Sequence, residues 1–457
     1  MRIAFLCYRG NMKSGGQGIY LHALTRELAS LGCEIDVFVG PPYPDPMPWA
    51  RVTRLENQMF WGKRFDKRRT AFLPTPDPFA ILRPLDFFEF AVTRFGFLPE
   101  PFAFSVRSAL AVLRELRAGR RYDLVHDVQS VSYGLLFLQA LGLPVVTTIH
   151  HPLSIDLRSS LARDRSFAER KGSLTFYPVR TQARTARRLA AILTSSEASR
   201  RAIARDFGVA PERLHDVRNG VELPERPVAR KRPARLELLF VGRCGDPNKG
   251  LEFLLEALAL LPHEVGLRVL DYFPAFMPLE KTLQALQLSE RVRFTGKVSS
   301  EDLLTAYRNA AAVIVPSIFE GFGLPAIEAL AAGTPVVASR AGALPEVIAD
   351  AGAGRLVPPR DPAALAKAIT DVLENWDEAH AEALAARPRI EATFGWRPTA
   401  KRTLAVYERT ISEFKGRRRA ECDPSKRERA QRGEVERSPG GARPPAGRDP
   451  RACAGTR

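Results

Sequence analysis

The stretch from Ala311 to Ser339 restricts the fold of this chain more than any other. Ala311 to Val315 is a short apolar run of the kind that forms a buried strand. Phe319 to Gly323 has turn chemistry, and Pro325 to Ala332 predicts a short helix. Proline stands there at the first helical position, where a missing N–H costs nothing, and Gly333 is the stop. Pro335 to Ala338 then predicts a second buried strand. A helix between two apolar strands returns the chain for parallel pairing, so an α/β fold is expected.

The start of that helix leaves the amides around Gly323, Leu324 and Ala326 free and at the positive end of its dipole, which suits a phosphate. Glu320 precedes this end and Glu328 follows it inside the helix, about 80° further round if both were helical. Carboxylates repel an anion, so the pair suits hydroxyl donors instead, such as those of a sugar and a ribose. The plain alternative makes Glu320 a helix cap and Glu328 a solvated face residue.

The rest of the chain repeats the α/β rhythm twice. Arg2 to Tyr8 predicts a first strand, Gly15-Gly16 a turn, Gln17 to Leu31 a helix and Cys33 to Val39 a second strand. The glycines do not complete a G-x-G-x-x-G, so a dinucleotide site is only weakly indicated. Pro41 to Phe104 breaks the rhythm with Pro, Phe and Arg, including Trp61 to Arg69, Phe87 to Phe90 and Phe95 to Leu98. Such an insertion either meets an anionic lipid surface or packs its rings on its own domain. Helix Val106 to Leu116, strand Tyr122 to Val128, helix Val131 to Leu141 and strand Pro144 to Ile149 lead to His150-His151. A helical segment comes next, around Thr175 to Leu189. Beyond strand Ala191 to Ser195, Ser196 predicts an N-cap for a helix to Phe207. Strand His215 to Arg218 precedes Asn219-Gly220. Pro224 to Pro233 reads as a linker. Strand Leu236 to Val241, the loop Gly242 to Gly250 and helix Leu251 to Leu261 open the second unit, with strands at Leu267 to Asp271, Val292 to Thr295, Ala311 to Val315 and Pro335 to Ala338. Helices at Ala363 to Leu373 and Pro398 to Phe414 complete it.

Two domains are therefore expected, 1–224 and 225–396, facing each other across a cleft, with 415–457 a disordered basic tail too polar and Pro-rich to form a core. The net charge is +17, of which the tail from Gly416 supplies 12 Lys and Arg against 6 Asp and Glu, leaving +11 for the body. That surplus favours acidic partners: nucleotide-sugars, an anionic membrane surface, or nucleic acid. The five cysteines form no C-x-x-C pair and point to a reducing cytoplasm. Met1 to Tyr8 does not read as a signal peptide, and no apolar stretch is long enough to span a bilayer.

Phe319-Glu320-Gly321-Phe322-Gly323-Leu324-Pro325-Ala326-Ile327-Glu328, running on through Gly333-Thr334-Pro335-Val336-Val337, is similar to the donor-site signature of retaining glycosyltransferases of family 4, which have the GT-B fold. The resemblance covers Met1 to about Phe414. It implies two Rossmann-like domains and a final helix, 397–414, crossing back onto the first. It assigns Glu320 to a donor-sugar hydroxyl, Glu328 to the ribose, and Phe322, Gly323, Leu324, Gly15 and Gly16 to the donor side of the cleft. Gly242, Arg243, Lys249 and Gly250 match the family's Gly-Arg…Lys-Gly, implicated in holding the diphosphate without metal. No D-x-D metal motif occurs in the chain, and no cofactor is expected. His150 matches a Thr-x-His histidine that meets the donor sugar or positions the acceptor, with His151 as its competitor. Ala341 replaces the first glycine of the family's Gly-Gly-x-Pro-Glu.

The resemblance thus implies an enzyme, and the cysteine usage places it in the cytoplasm, at the inner face of the membrane if the insertion meets lipid. It would move a sugar from a UDP- or GDP-sugar to a glycan or lipid-linked acceptor by front-face displacement, double displacement through Glu320 being the rival route. A GT-B sugar-nucleotide epimerase is one alternative. A basic nucleic-acid-binding protein is the alternative of a different class, although no specific nucleic acid is expected as a partner.

Overall fold

The computed structural model describes residues 1–12, 16–57, 77–272, 279–296 and 298–422. Gly15, the Trp61 to Arg69 run and the tail beyond 422 fall outside them. Among the described residues the strands form two sheets, both parallel throughout. The first holds β1 (Arg2–Cys7), β2 (Glu34–Val39), β3 (Ala50–Arg54), β4 (Leu124–Val128), β5 (Val145–Thr148), β6 (Ala191–Thr194) and β7 (Leu214–Asp216), in the order β3-β2-β1-β4-β5-β6-β7. The second holds β8 (Glu237–Val241), β9 (Gly266–Leu270), β10 (Val292–Phe294), β11 (Ala312–Val315), β12 (Val336–Ser339) and β13 (Arg355–Val357), in the order β10-β9-β8-β11-β12-β13.

The apolar runs are explained by helices on both faces. Ile3 to Cys7 are wholly buried, and Leu21, Leu24 and Leu28 of the helix Gly16–Ser30 cover one side of the sheet. In each sheet the strand order reverses once, between β1 and β4 and between β8 and β11. A crevice opens at the carboxyl ends of strands where this happens, and ligands of open α/β sheets bind there.

Several elements differ from expectation. β3 lies inside the insertion and β13 beyond the expected last strand. β3 is an edge strand with Arg51, Thr53 and Arg54, and β13 has three residues, so neither offers an apolar run. The segment expected around Thr175 to Leu189 is preceded by further helices, Leu153–Arg163 and Phe167–Phe176, before Val179–Ala186. The insertion also folds as helices Pro84–Arg94 and Glu100–Arg117. Its rings divide: Phe88 packs against Phe102 at 5.0 Å, whereas Phe79 and Phe95 are 77% and 75% exposed. The last helix, Trp396–Cys422, runs past the expected end at Phe414. Its Trp396, Ala400 and Tyr407 are buried in the core of the first sheet, not the second.

Candidate active site

The loop after β11 carries the first part of the site. Gly323 (φ 101°) precedes the helix Leu324–Ala331, which has no side-chain cap and has Pro325 in its first turn. Its leading amides are therefore unclaimed by any side chain. Glu320 is fixed just before this end: its carbonyl accepts from Ala343 N at 2.8 Å, and Ser317 Oγ donates to its Oε2 at 3.2 Å. Gly342 (φ 55°) has to be glycine, because a methyl group there would lie 2.1 Å from the Glu320 carbonyl oxygen. Ala341 does not adopt a left-handed conformation, so the alanine costs the loop nothing.

The loop after β8 is clamped under the same place. Asp246 caps the turn Pro247–Lys249, and Gly250 (φ 68°) closes it where a methyl group would lie 2.0 Å from the Pro316 carbonyl oxygen. The Asn248 carbonyl accepts from Ile318 N at 2.8 Å. This clamp brings Lys249 Nζ within 2.8 Å of Glu320 Oε2. Glu320 is only 12% exposed, so the pair works in a less polar medium than water and is strengthened by it. Arg243, in the same loop, is different: it is 82% exposed and touches Asp246 at 3.5 Å.

The first domain contributes His150 and His151 beyond β5. Their backbone is held by Gln129, which accepts from His150 N at 3.0 Å and donates to the His151 carbonyl at 3.1 Å. Gln129 (φ 62°) and Val131 (φ 40°) both have left-handed backbone, a strained turn anchored by the buried Asp127, which accepts from Val131 N at 3.0 Å. Asn219 Nδ2 lies 3.3 Å from His150 Nδ1 and donates to it, which leaves the ring proton on Nε2. That Nε2 is buried and has no partner among the described residues. Burial, aided by His151, lowers the His150 pKa to about 4, so the ring is neutral near pH 7. At His151 burial acts downward too, but Asp156 at 2.9 Å outweighs it and the pKa is raised, with Glu320 contributing.

The two domains touch at the site. A methyl group on Gly321 would lie 3.1 Å from the His150 carbonyl oxygen, and Ser196 Oγ donates to the Gly321 carbonyl at 2.9 Å. Ser159 Oγ donates to Asn248 Oδ1 at 2.8 Å. Glu346 of the second domain accepts from Glu197 N at 2.8 Å and Ala198 N at 2.7 Å, the first two amides of the helix Glu197–Phe207 of the first. Arg218 ties Glu346, Asp216 and Asp350 together. On the other side, a methyl on Gly16 would stand 3.9 Å from Leu324 Cδ1.

Glu320, Lys249, Gly323, Leu324, Gly16 and His150 are thus brought to one cleft, and Gly242 adjoins it, since a methyl group there would lie 3.7 Å from Lys249 Cδ. Phe322 is placed otherwise than expected, and for Glu328 the plain alternative is excluded. The Phe322 ring is buried in the core against Phe394, 5.7 Å between centroids, because that apolar side chain has a hydrophobic cluster beneath it and so faces no ligand. Glu328 is half-buried, accepts from Tyr307 Oη at 2.8 Å, and has its pKa raised by burial, so it is no solvated face residue and has one oxygen already engaged. The sequence reading missed Asn219, Ser317 and the cross-domain role of Glu346. The Ser196 cap expected from the sequence is present, its Oγ accepting from Ser199 N at 3.1 Å, but a carboxylate that reaches the same helix end from a second domain leaves no local signal. Among the described residues no group of three or more His, Cys, Asp or Glu could hold a metal ion.

Two facing parallel α/β domains with a cationic loop, an acidic residue and an open helix end at their shared cleft define a GT-B glycosyltransferase. Residues 14–225 match Glycosyltransferase Family 4, and residues 223–388 match Glycosyl transferases group 1. The MMP alpha-(1->4)-mannosyltransferase of Mycolicibacterium hassiacum is 37% identical over 424 residues, 90% of this chain and 99% of that one. D-inositol 3-phosphate glycosyltransferase 2 of Catenulispora acidiphila is 29% identical, over 90% and 93% of the two chains. The sucrose-phosphate synthase of Thermosynechococcus elongatus has the same fold, with a TM-score of 0.66, 24% identity and coverage of 90% of this chain and all (100%) of that one. The chain belongs to glycosyltransferase family 4.

Proposed function

We propose that the chain is a retaining, metal-independent hexosyltransferase, similar in task to its mannosyl-transferring relative, acting on a UDP- or GDP-sugar. The observation that carries this reading is the Lys249–Glu320 pair, 2.8 Å apart beside an uncapped helix end. A diphosphate arriving there meets the helix amides and draws Lys249 away from Glu320, and the freed carboxylate accepts from hydroxyls of the donor sugar. Arg243, exposed and loosely held, closes over the phosphates. The free oxygen of Glu328 takes a ribose hydroxyl. His150 Nε2–H, with no other partner, donates to a sugar oxygen.

The cations and amides stabilise charge that grows on the phosphate as the sugar bond breaks, the task a divalent ion performs in other transferases. In the front-face reaction the acceptor oxygen bonds the anomeric carbon as the carbon–phosphate-oxygen bond breaks. The acceptor's proton passes to the departing phosphate oxygen. A thermal-shift panel of UDP-, GDP- and ADP-sugars with and without EDTA tests this. A hit is expected with a UDP- or GDP-sugar, worth about 2.7 kcal/mol at a hundred times Kd and unchanged by chelation. Binding that disappears with EDTA contradicts it.

The exposed Phe79, Leu82, Phe87, Phe95 and Phe97 of the insertion support contact with an anionic membrane surface. No helix of the described residues is long and apolar enough to cross a membrane. Sedimentation with phosphatidylglycerol vesicles should carry the protein down, and Phe79→Ser with Phe95→Ser should release it; equal pelleting of both proteins removes this part of the reading.

A further inference from the structure

Two neighbours hold the ring of His150, and both lean on the helix Trp396–Cys422. The first is Asn219, whose Nδ2 stands 3.3 Å from His150 Nδ1. Gly220, the next residue, lies against Trp396: a methyl group there would come within 2.2 Å of the indole Cδ2, so that ring sets the backbone beside Asn219. On the other side of Asn219, Thr399 Oγ1 of the same helix donates to the Arg218 carbonyl at 2.9 Å. The second neighbour is Tyr20, whose ring meets the imidazole at 84° with 4.8 Å between centroids, an edge-to-face arrangement that fixes the tilt of both. Trp396 meets the Tyr20 ring as well, at 6.0 Å.

From Tyr20 a single file of hydrogen bonds runs back to that helix. Tyr20 Oη is 3.0 Å from Thr148 Oγ1, Thr148 Oγ1 is 2.7 Å from His126 Nε2, and His126 Nδ1 is hydrogen-bonded to Tyr407 Oη. Tyr20 is 4% exposed, Thr148 2%, and His126 and Tyr407 0%, so water does not replace a partner lost from the file. Burial, with His150 adding to it, lowers the His126 pKa to about 3, and the ring is neutral. A neutral imidazole donates at one nitrogen and accepts at the other, so it passes on an orientation and not a charge. The reaction proposed above uses none of these four groups.

We propose that the helix Trp396–Cys422 positions His150 by two routes, through Trp396 and Asn219 and through Tyr407, His126, Thr148 and Tyr20, with Tyr20 the residue that keeps Nε2–H aimed at the sugar. This rests on the glycosyltransferase reading above, in which Nε2–H meets a sugar oxygen, and adds what holds that bond in line. The far end of the chain thereby belongs to the working part of the site and is more than a strap over the first sheet. A file that only satisfied itself within the core would act on stability alone. A positioning file acts on turnover, and only while His150 is there to be positioned.

The test is kcat and KM of the full chain with UDP-glucose and GDP-mannose, methyl α-mannopyranoside being the acceptor, for Tyr20→Phe and Tyr407→Phe, each made alone and in His150→Ala. Each hydroxyl deletion alone should lower kcat about tenfold and leave the donor KM within about threefold; in the His150→Ala chain the same deletion should change kcat less than about twofold. Tyr407→Phe leaves a buried nitrogen unmet, so Tyr20→Phe, at the other end of the file, carries the test if that variant does not fold. Turnover within about twofold of wild type in a variant that melts as wild type does, or equal losses with and without His150, overturns the positioning and leaves the reaction untouched. A wild-type chain that turns over neither donor removes the glycosyltransferase reading by itself. The positioning is then read from ring-nitrogen NMR of histidine-labelled protein: His150 should be a single Nε2–H tautomer in wild type and a mixture in Tyr20→Phe, and identical spectra overturn it.

Discussion

A neutral imidazole with one nitrogen occupied has a single thing left to offer, and His150 is in that state: Asn219 fills Nδ1, and Nε2–H is buried and unmet. Its pKa, lowered to about 4 by burial, has a consequence for stability. The unfolded chain binds a proton on this residue near pH 6.5 and the folded one only near 4, so stability falls as pH drops through that window. The buried Asp127, raised to about 6, and His151, held up by Asp156, act in the opposite sense, but both persist in a His150 variant. The stability difference between wild type and His150→Gln should therefore shift against the wild type by on the order of 2 kcal/mol between pH 7 and pH 4 in urea titrations. A difference that is flat with pH would mean that His150 is solvated and not poised in this way. The residue itself was legible, standing at the end of a strand. Its tautomer was not, since that depends on Asn219, which is sixty-nine positions away and reads locally as a turn residue.

Among the elements, the helix Glu197–Phe207 of the first domain is capped by its own Ser196, and its first two amides donate to Glu346 of the second. A carboxylate at a helix N-terminus is well placed electrostatically, and here the same contact joins the domains. Glu346→Ala should leave two amides open and Arg218 short of one partner, at a cost of about 1–2 kcal/mol. Small-angle scattering should show a larger radius of gyration for the variant than for the wild type. An unchanged radius with unchanged stability would show that the domains are held by something else. Elements like these explain how far the sequence could be read. Apolar strands such as β1, β8, β11 and β12 announce themselves because both of their faces are covered. The polar edge strand β3 and the three-residue β13 do not, because edge and very short strands are fixed by their neighbours more than by their own pattern. Phe322 shows the same limit inside the site: the motif containing it was plain, but which of its side chains turn to the core depends on Phe394 from a distant helix.

At the scale of the whole molecule, two sheets of the same kind place their carboxyl-end loops against each other, so that a loop held by β8 and β11 meets a histidine held by β5. In the reaction we propose the chemistry belongs to neither domain alone: the second would hold the phosphate end of a donor, and the first would present His150. The claim on which the rest stands is that Glu320, released from Lys249 when the diphosphate binds, holds the sugar being moved. The most direct measurement of it is the transfer rate of Glu320→Gln at saturating nucleotide-sugar, with wild-type protein beside it. The substitution keeps the size of the side chain and removes its charge, so a fall in kcat of about a hundredfold or more with the melting temperature preserved is expected. A Glu320→Gln enzyme that transfers sugar within a few-fold of the wild-type rate would contradict the account.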